Sequence, residues 1–476
     1  MNKLNRSNHS VAAHKERILQ FGEGNFLRAF ANWMIHRMNK DAGFDAGVVA
    51  IQPIDRGLID MLNAQDGLYT VYLNGIKNGE AISEHEVIDC IQRGLNPHTQ
   101  FDEYLANAEN PNLRFVISNT TEAGIAYHEG NMPSDRPPSS FPAKLTVLLK
   151  KRFDAFNGAS DKGLIFIPCE LIDRNGDNLK RIILQYADEW GYSSDFKNWV
   201  ESDNIFTNTL VDRIVPGYPK AKMDEITKEL GYQDNLVVEG EQFHLWVIEG
   251  PAAIKEEFPS EACGLNVIFT DNMEPYRTRK VRILNGAHTT MVPVSYLYGI
   301  DFVRESVEDA VVGKYIQEAI ADEICPTLDL PDEELKSFSN DVLDRFRNPY
   351  LQHALMSISL NSVSKFKTRV LPSILEYVNR KGELPKKLCI SLSALIAFYK
   401  GEVLGKTIDL NDDAAVLAFA KKTWAESKGD YLSVATAFLG NADFWGEDLT
   451  KINGLQDLVA RNLETIVTKG IKELIE

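Results

Sequence analysis

Four short apolar runs govern what this chain can fold into. They are "ILQF" at 18–21, "GVVAIQP" at 47–53, "RFVISNTTEAGI" at 114–125 and "GLIFIPCELI" at 163–172, and each runs into a polar or glycine-bearing loop. Runs this short and this apolar suit strands buried on both faces. Stretches with helical spacing lie between them. After the first run, Phe26, Ala29, Phe30, Trp33, Met34 and Met38 fall three to four apart and predict one amphipathic helix. Strand alternating with helix in this way predicts a mostly parallel sheet with helices on both faces.

From about residue 272 the texture changes. "EPYRTRKVRILNGAHTTMVPVSYLYG" has helical length, with Pro275 near its start where proline is tolerated. "DDAAVLAFAKKTWAES" (412–427) reads as helix, and "NLETIVTKGIKELIE" sets Ile466, Val467, Ile471 and Leu474 on one helical face. A chain of 476 residues is too long for one ordinary core, since one domain per ~150 residues gives two or three. The expectation is α/β plus all-α: a Rossmann-like dinucleotide-binding domain at 1–271, then a mostly helical substrate-binding and catalytic domain at 272–476. "NMPSDRPPSSFP" (131–142) reads as a surface loop.

Charge narrows the partners. With 51 basic against 68 acidic residues the net charge is -17, which argues against nucleic acid and against an anionic membrane surface. The five cysteines, Cys90, Cys169, Cys263, Cys325 and Cys389, are scattered and form no CxxC pair. A disulfide framework or a zinc cage is not expected, and no metal is assigned. The first seventeen residues lack the apolar stretch of a signal peptide, and no run approaches ~18 apolar residues. The expectation is a reduced, cytoplasmic, soluble protein whose partner is a small molecule. The assembly state is left open.

The turn after the first strand, Gly22-Glu23-Gly24-Asn25, leads into the helix that begins near Phe26. Strand, Gly-x-Gly, helix is how a dinucleotide fold receives a pyrophosphate, because the glycines let backbone approach it. The third glycine of the full motif is replaced by Leu27, so a purely structural turn stands beside the functional one. Arg28, one turn into the helix, is placed to reach a phosphate. Asp55, beyond the second strand, is the acid that would hold an adenosine ribose and favour NAD over NADP, although Gln52 stands at the more usual position.

Lys280, Asn285 and His288 lie inside an apolar run. At about 100° per residue they fall at roughly 0°, 140° and 80° around a regular helix and can share a cleft. A lysine whose pKa is lowered by burial or by neighbouring cations such as Arg277 serves as a general base. Asparagine donates to a developing alkoxide, and histidine orients a second hydroxyl. Taken singly, each is equally a snorkelling or satisfied core residue.

Lys280-x4-Asn285-x2-His288 resembles the active-site signature of the mannitol dehydrogenase family, long-chain polyol dehydrogenases that need no metal. "FGEGNFLRAF", "QDGLYTVYL", "TTEAGI", "FTNTLVDRIVPG", "RFRNPYLQH" and "SKFKTRVLP" are similar to other segments of the family, in order along nearly the whole chain. The resemblance implies an NAD cofactor bound by Gly22, Gly24, Asn25, Phe26, Arg28, Asp55, Thr121 and Glu122. It also implies a lysine acid/base, Lys280, working with Asn285 and His288. Two departures stand out. Leu171 replaces an asparagine that many members use to hold the substrate oxygen, and Arg277 stands where polyol-oxidising members have an acid. "PCELIDRNG", "SNTTEAGI" and "LNSVSKFKTR" look instead like the branch that interconverts D-altronate and D-tagaturonate with NAD. A sugar acid carries a carboxylate, for which Arg277, Lys365 and Arg369 are the candidate cations. The alternatives are a fructuronate reductase or a mannitol 2-dehydrogenase within the family, a nucleotide-binding sensor without turnover, and, more remotely, a metal-dependent alcohol dehydrogenase.

Overall fold

The computed structural model describes residues 2–77 and 79–476. One compact unit comprises the chain through Asn74 together with Ile82–Met273; the second comprises Gly75–Ala81 and Glu274–Glu476.

The first unit is built on a six-stranded sheet. Its strands in chain order are β1 (Glu16–Phe21), β2 (Gly47–Ile51), β3 (Ile91–Leu95), β4 (Phe115–Ser118), β5 (Ile165–Pro168) and β6 (Ile205–Phe206). They lie in the order β3-β2-β1-β4-β5-β6, all parallel. This is the doubly wound order of dinucleotide-binding folds, with the reversal between β1 and β4. Alternate residues of each strand feed two cores. Ile18, Val48, Ile117 and Ile167 pack on one face, and Leu19, Phe21, Val49, Val116 and Phe166 on the other. Gln20, the one polar residue within "ILQF", is fully buried and satisfied: its amide exchanges hydrogen bonds with Asn32 and donates to the carbonyl of Gly22. Two three-stranded sheets, one of Tyr69–Lys77, Glu80–Ile88 and Val238–Glu241 and one of Asn208–Asp212, Leu245–Glu249 and Val267–Thr270, add to the unit, save for residues 75–77 and 80–81 of the first, which belong to the second unit.

The helix expected from Phe26 to Met38 is two helices. Phe30, at φ -117 and ψ -83, breaks it into Asn25–Ala29 and Ala31–Ala42. Apolar spacing survives the break because Phe30 stacks on Phe26 and packs against Trp246, so periodicity alone does not reveal it. The final helical stretch is interrupted in the same way, Leu455–Thr468 ending before Gly470, whose φ is +103.

From Glu274 onward the second unit is mostly helical, with a two-stranded hairpin, Glu402–Val403 with Lys406–Thr407. Its centre is Lys386–Phe398, apolar nearly all round and, Ile390 apart, buried from Leu388 onward, as a helix enclosed by others must be. It packs on Gly286–Tyr298 and on Leu455–Thr468. Its first turn is capped from a neighbouring segment: the buried Glu323 carboxylate accepts the backbone N–H groups of Lys387 and Leu388 at 2.9 and 2.8 Å, satisfying donors the helix itself cannot. No helix among the described residues is long and apolar enough to cross a membrane.

One buried charge cluster in the first unit makes stability depend on pH. His36 lies 2.6 Å from Asp89 and 3.2 Å from Glu86. Burial disfavours the imidazolium, but hydrogen bonds and charge from Asp89 and Glu86 overcome it and raise the pKa to about 9. Because the folded value lies above the ordinary one, the stabilisation is complete below about pH 6.5 and disappears as pH rises through 9. His36→Gln is expected to lower unfolding stability by about 2–3 kcal/mol at pH 6. The gap between variant and parent, followed by thermal or urea unfolding, should close by pH 10. A gap independent of pH would show that His36 acts through packing alone.

Candidate functional site

The glycine turn follows β1, at the carboxyl edge of the sheet where such folds take their ligands. Its two glycines are there for different reasons. Gly22 has φ +108, and a Cβ on it would lie 2.7 Å from the carbonyl oxygen of Asn119 in the loop after β4. Gly22 is therefore required by the protein's own packing. Gly24 has an ordinary φ of -67, and a Cβ there would meet nothing within 4 Å. Nothing within the chain demands glycine at 24, and its backbone faces open space. Asn25 accepts from Arg28 at 2.7 Å and presses against Gly217, while Phe26 stacks on Phe30 at 4.9 Å.

Arg28 does not reach out of the turn. It is 1% exposed, lies over the Tyr69 ring, and its guanidinium donates to the carbonyls of Glu23 and Leu236 and to the Asn25 side chain. Placement one turn into a helix suggested a phosphate contact. The break at Phe30 and the passing segment at Leu236 turn the side chain inward, where it braces the turn. Glu23 is likewise buried and accepts from the Leu58 N–H at 3.0 Å, tying the turn to the loop after β2. Within that loop Gln52 is buried and donates to the carbonyl of Ile54, whereas Asp55 is exposed.

The loop after β4 carries Thr121 and Glu122, both exposed. Thr121 adopts φ +72, a conformation that β-branched residues rarely take. Glu170, just after β5, was not singled out from the sequence, although an acid directly ending an apolar run is a visible signal. It is 2% exposed; Thr120 donates to it through both its N–H and its hydroxyl at 2.9 Å, and Ser118 through its hydroxyl at 3.0 Å. Burial raises its pKa against the opposing effect of these bonds. Asn175 is fully buried and serves the backbone, donating to the carbonyls of Pro168 and Glu170. Leu171, beside it, is 63% exposed.

In the second unit the lysine segment is not regular α-helix. Lys280–Asn285 form a π-helical turn between the helices Glu274–Arg279 and Gly286–Tyr298. The Gly286 N–H reaches the carbonyl of Val281, five residues back, as well as that of Ile283. Angles reckoned at about 100° per residue set Lys280 and Asn285 roughly 140° apart. Closure across five residues turns each position by less and so narrows that angle. Thr289 donates its hydroxyl to the Asn285 carbonyl at 2.9 Å, occupying an acceptor at the point where the helical pattern changes. Arg282, on the same turn, points to the helix Leu371–Lys381 and donates to Ser373. Arg277 is half-buried and precedes Lys280 by three residues.

His288 stands at the centre of a cationic cluster. Its ring lies 4.2 Å from Phe346 and 5.2 Å from His353, and its buried Nε2 has no hydrogen-bond partner in the protein. Burial, then the charges of His353, Arg345 and Arg369, hold its pKa well below the usual histidine range, so the ring is neutral at pH 7. Arg369 also depresses Lys365, after burial, while Asp412 opposes this; the Lys365 ammonium donates to the carbonyl of Ile358 at 2.8 Å. Arg369 thus acts by its charge on both His288 and Lys365, and Arg345 and His353, which the sequence offered only as letters of "RFRNPYLQH", act on His288 as well. A buried neutral imidazole nitrogen with an unmet hydrogen bond, within the field of Arg345 and Arg369, suits an anionic ligand that also presents a hydroxyl.

Comparison with known proteins identifies the family. Residues 16–261 match the mannitol dehydrogenase Rossmann domain and residues 272–467 the mannitol dehydrogenase C-terminal domain. The chain is 49% identical over 485 residues to an altronate oxidoreductase of Pectobacterium carotovorum, covering 100% of this chain and 99% of the relative. It is 48% identical over 477 residues to one of Bacillus subtilis, covering 100% and 98%. Among solved structures, a D-sorbitol dehydrogenase in substrate-free form superposes with a TM-score of 0.80 at 21% identity, over 98% of this chain and 96% of that one. A Pseudomonas fluorescens mannitol 2-dehydrogenase in ternary complex with NAD and D-mannitol superposes with a TM-score of 0.65 at 22% identity, over 99% and 98%. The chain belongs to the mannitol dehydrogenase family.

Proposed function

We propose that this protein is an NAD-dependent oxidoreductase that interconverts D-altronate and D-tagaturonate. The observation that carries the reading is the match to altronate oxidoreductases at 46–49% identity over the full chain. The cluster around His288 supports it chemically, because a hexonate brings the carboxylate for which Arg369 and Lys365 are suited. Arg277 is assigned to the same anion from its place before Lys280. A cytoplasmic location belongs to the proposal and fits five free thiols.

The residues at the carboxyl edge of the first unit fit a dinucleotide. Gly24 leaves backbone accessible where the protein itself makes no use of a glycine. Gly22, Asn25 and Phe26 shape that turn, Asp55 is free to accept from a ribose hydroxyl and disfavours a 2′-phosphate, and Thr121 and Glu122 border the turn from the next loop. When bound, NAD takes up or returns the hydride. The chain's own residues manage the proton and the oxygen. In oxidation the Lys280 amine accepts the hydroxyl proton; in reduction its ammonium returns one to the nascent alkoxide. Asn285 lies on the same π turn and donates to that oxygen. His288, neutral, offers Nε2 to a neighbouring hydroxyl.

Lys280→Ala should lower kcat/KM for D-tagaturonate at least ~10²-fold, the low end for a positioned general acid, while leaving NADH affinity near that of the parent. A folded variant with near-full activity would make the lysine a packing residue. Arg369→Met removes one cation from the carboxylate. A loss of about 2 kcal/mol corresponds to a ~30-fold rise in KM for D-tagaturonate, with much less effect on D-fructose, which is uncharged. Equal effects on both substrates would mean that Arg369 serves packing or tunes His288.

A further inference from the structure

The buried carboxylate of Glu170 holds the loop after β4 in a conformation that it would not keep unaided. Thr121, at φ +72, is a β-branched residue in the left-handed region, and such a residue persists only where its surroundings over-determine it. The residue before it, Thr120, is gripped twice by Glu170, through N–H and hydroxyl, both at 2.9 Å. Ser118, the last residue of β4, is gripped by the other carboxylate oxygen at 3.0 Å. Beyond Thr121 the loop folds back so closely that a Cβ on Gly124 would lie 2.0 Å from the Thr120 hydroxyl. On the near side Asn119 donates its N–H to the carbonyl of Phe21, and its own carbonyl abuts Gly22. One buried acid after β5 therefore fixes the loop after β4, while Asn119, which walls the glycine turn, is also held by the carbonyls of Phe21 and Cys169.

The strand order says which part of a ligand this loop would meet. In a doubly wound sheet the dinucleotide straddles the reversal between the two halves. The glycine turn after β1 and the acid beyond β2 serve pyrophosphate and adenosine ribose, so the half formed by β4, β5 and β6 receives the other nucleoside. Glu170, Ser118, Thr120 and Thr121 all belong to that half. Resting on the reading of this unit as an NAD site, we propose that Glu170 is a positioning residue for the nicotinamide end of the cofactor, acting through the Ser118–Thr121 loop without touching the cofactor itself.

The prediction separates the two ends of the ligand. Binding of NADH and of ADP-ribose, which lacks nicotinamide, is measured by isothermal titration on the full chain. Glu170→Leu leaves two hydroxyls and an N–H without their acceptor; it should raise Kd for NADH about 10-fold and leave Kd for ADP-ribose within about 2-fold. Thr120→Ala, which keeps the N–H bond and is gentler on folding, should show the same preference at smaller size and decides the matter if the leucine variant does not fold. Glu170→Gln keeps an acceptor for Thr120 and should recover most of the loss. Amide hydrogen exchange should quicken in 119–124 and not in 22–28. Equal weakening of both ligands would make Glu170 a general structural residue and overturn the proposal, as would unchanged NADH affinity in a folded variant. A parent protein that binds neither ligand would remove the dinucleotide reading itself and this inference with it.

Discussion

One turn of the second unit, Lys280–Asn285, closes across five residues where a regular helix closes across four, and the proposed chemistry is built on it. A regular helix would turn Lys280 and Asn285 about 140° apart; the wider turn narrows that angle. The residue that ends it is Gly286, where a Cβ would stand 3.1 Å from the carbonyl oxygen of Arg369. Any larger residue would have to push that carbonyl back, so the glycine is what lets the turn lie against the end of the helix Ser362–Arg369. That contact carries Arg369 toward His288, on which its charge acts. π turns recur at functional sites because an extra residue re-aims side chains without ending the helix, and the proposed function uses this one for an amine and an amide.

The first unit divides its polar residues into those that build the carboxyl edge and those left at its surface. Gln20, Glu23, Arg28, Asn32, Glu170 and Asn175 are buried, and each has its hydrogen bonds met within the chain. Leaving such groups unpaired would cost more than pairing them gains, so this network fixes three loops against one another. Gly24, Thr121 and Glu122 are what the network presents. The division explains why a charged residue beside the glycine turn need not touch a phosphate.

How much was legible in the sequence follows from the same physics. The parallel sheet and the helical second unit were readable because fully buried strands and enclosed helices leave apolar runs and periodicities that nothing else leaves. The break at Phe30 was not, since the aromatic residue keeps the helical spacing while leaving helical backbone angles. The π turn was hidden for a related reason: periodicity assumes the very turn that is altered. Arg28 misled because sequence gives distance along a helix but not what passes beside it, here the backbone at Leu236. Arg345 and His353 are separated from His288 by more than fifty residues, and only the packing of Phe346 and His353 against its ring brings them in. Lys280, Asn285 and His288 were singled out because polar groups inside an apolar run cost free energy unless they are used.

Selection of a sugar acid by the proposed site is tested most directly by initial rates of NADH oxidation with D-tagaturonate, D-fructuronate and D-fructose. The cationic cluster predicts the largest kcat/KM for D-tagaturonate, a smaller value for D-fructuronate, which keeps the carboxylate and differs in its hydroxyls, and a value at least ~10²-fold below the first for D-fructose, the loss expected when a buried charge pair cannot form. Turnover of D-fructose as good as that of either uronate would contradict it.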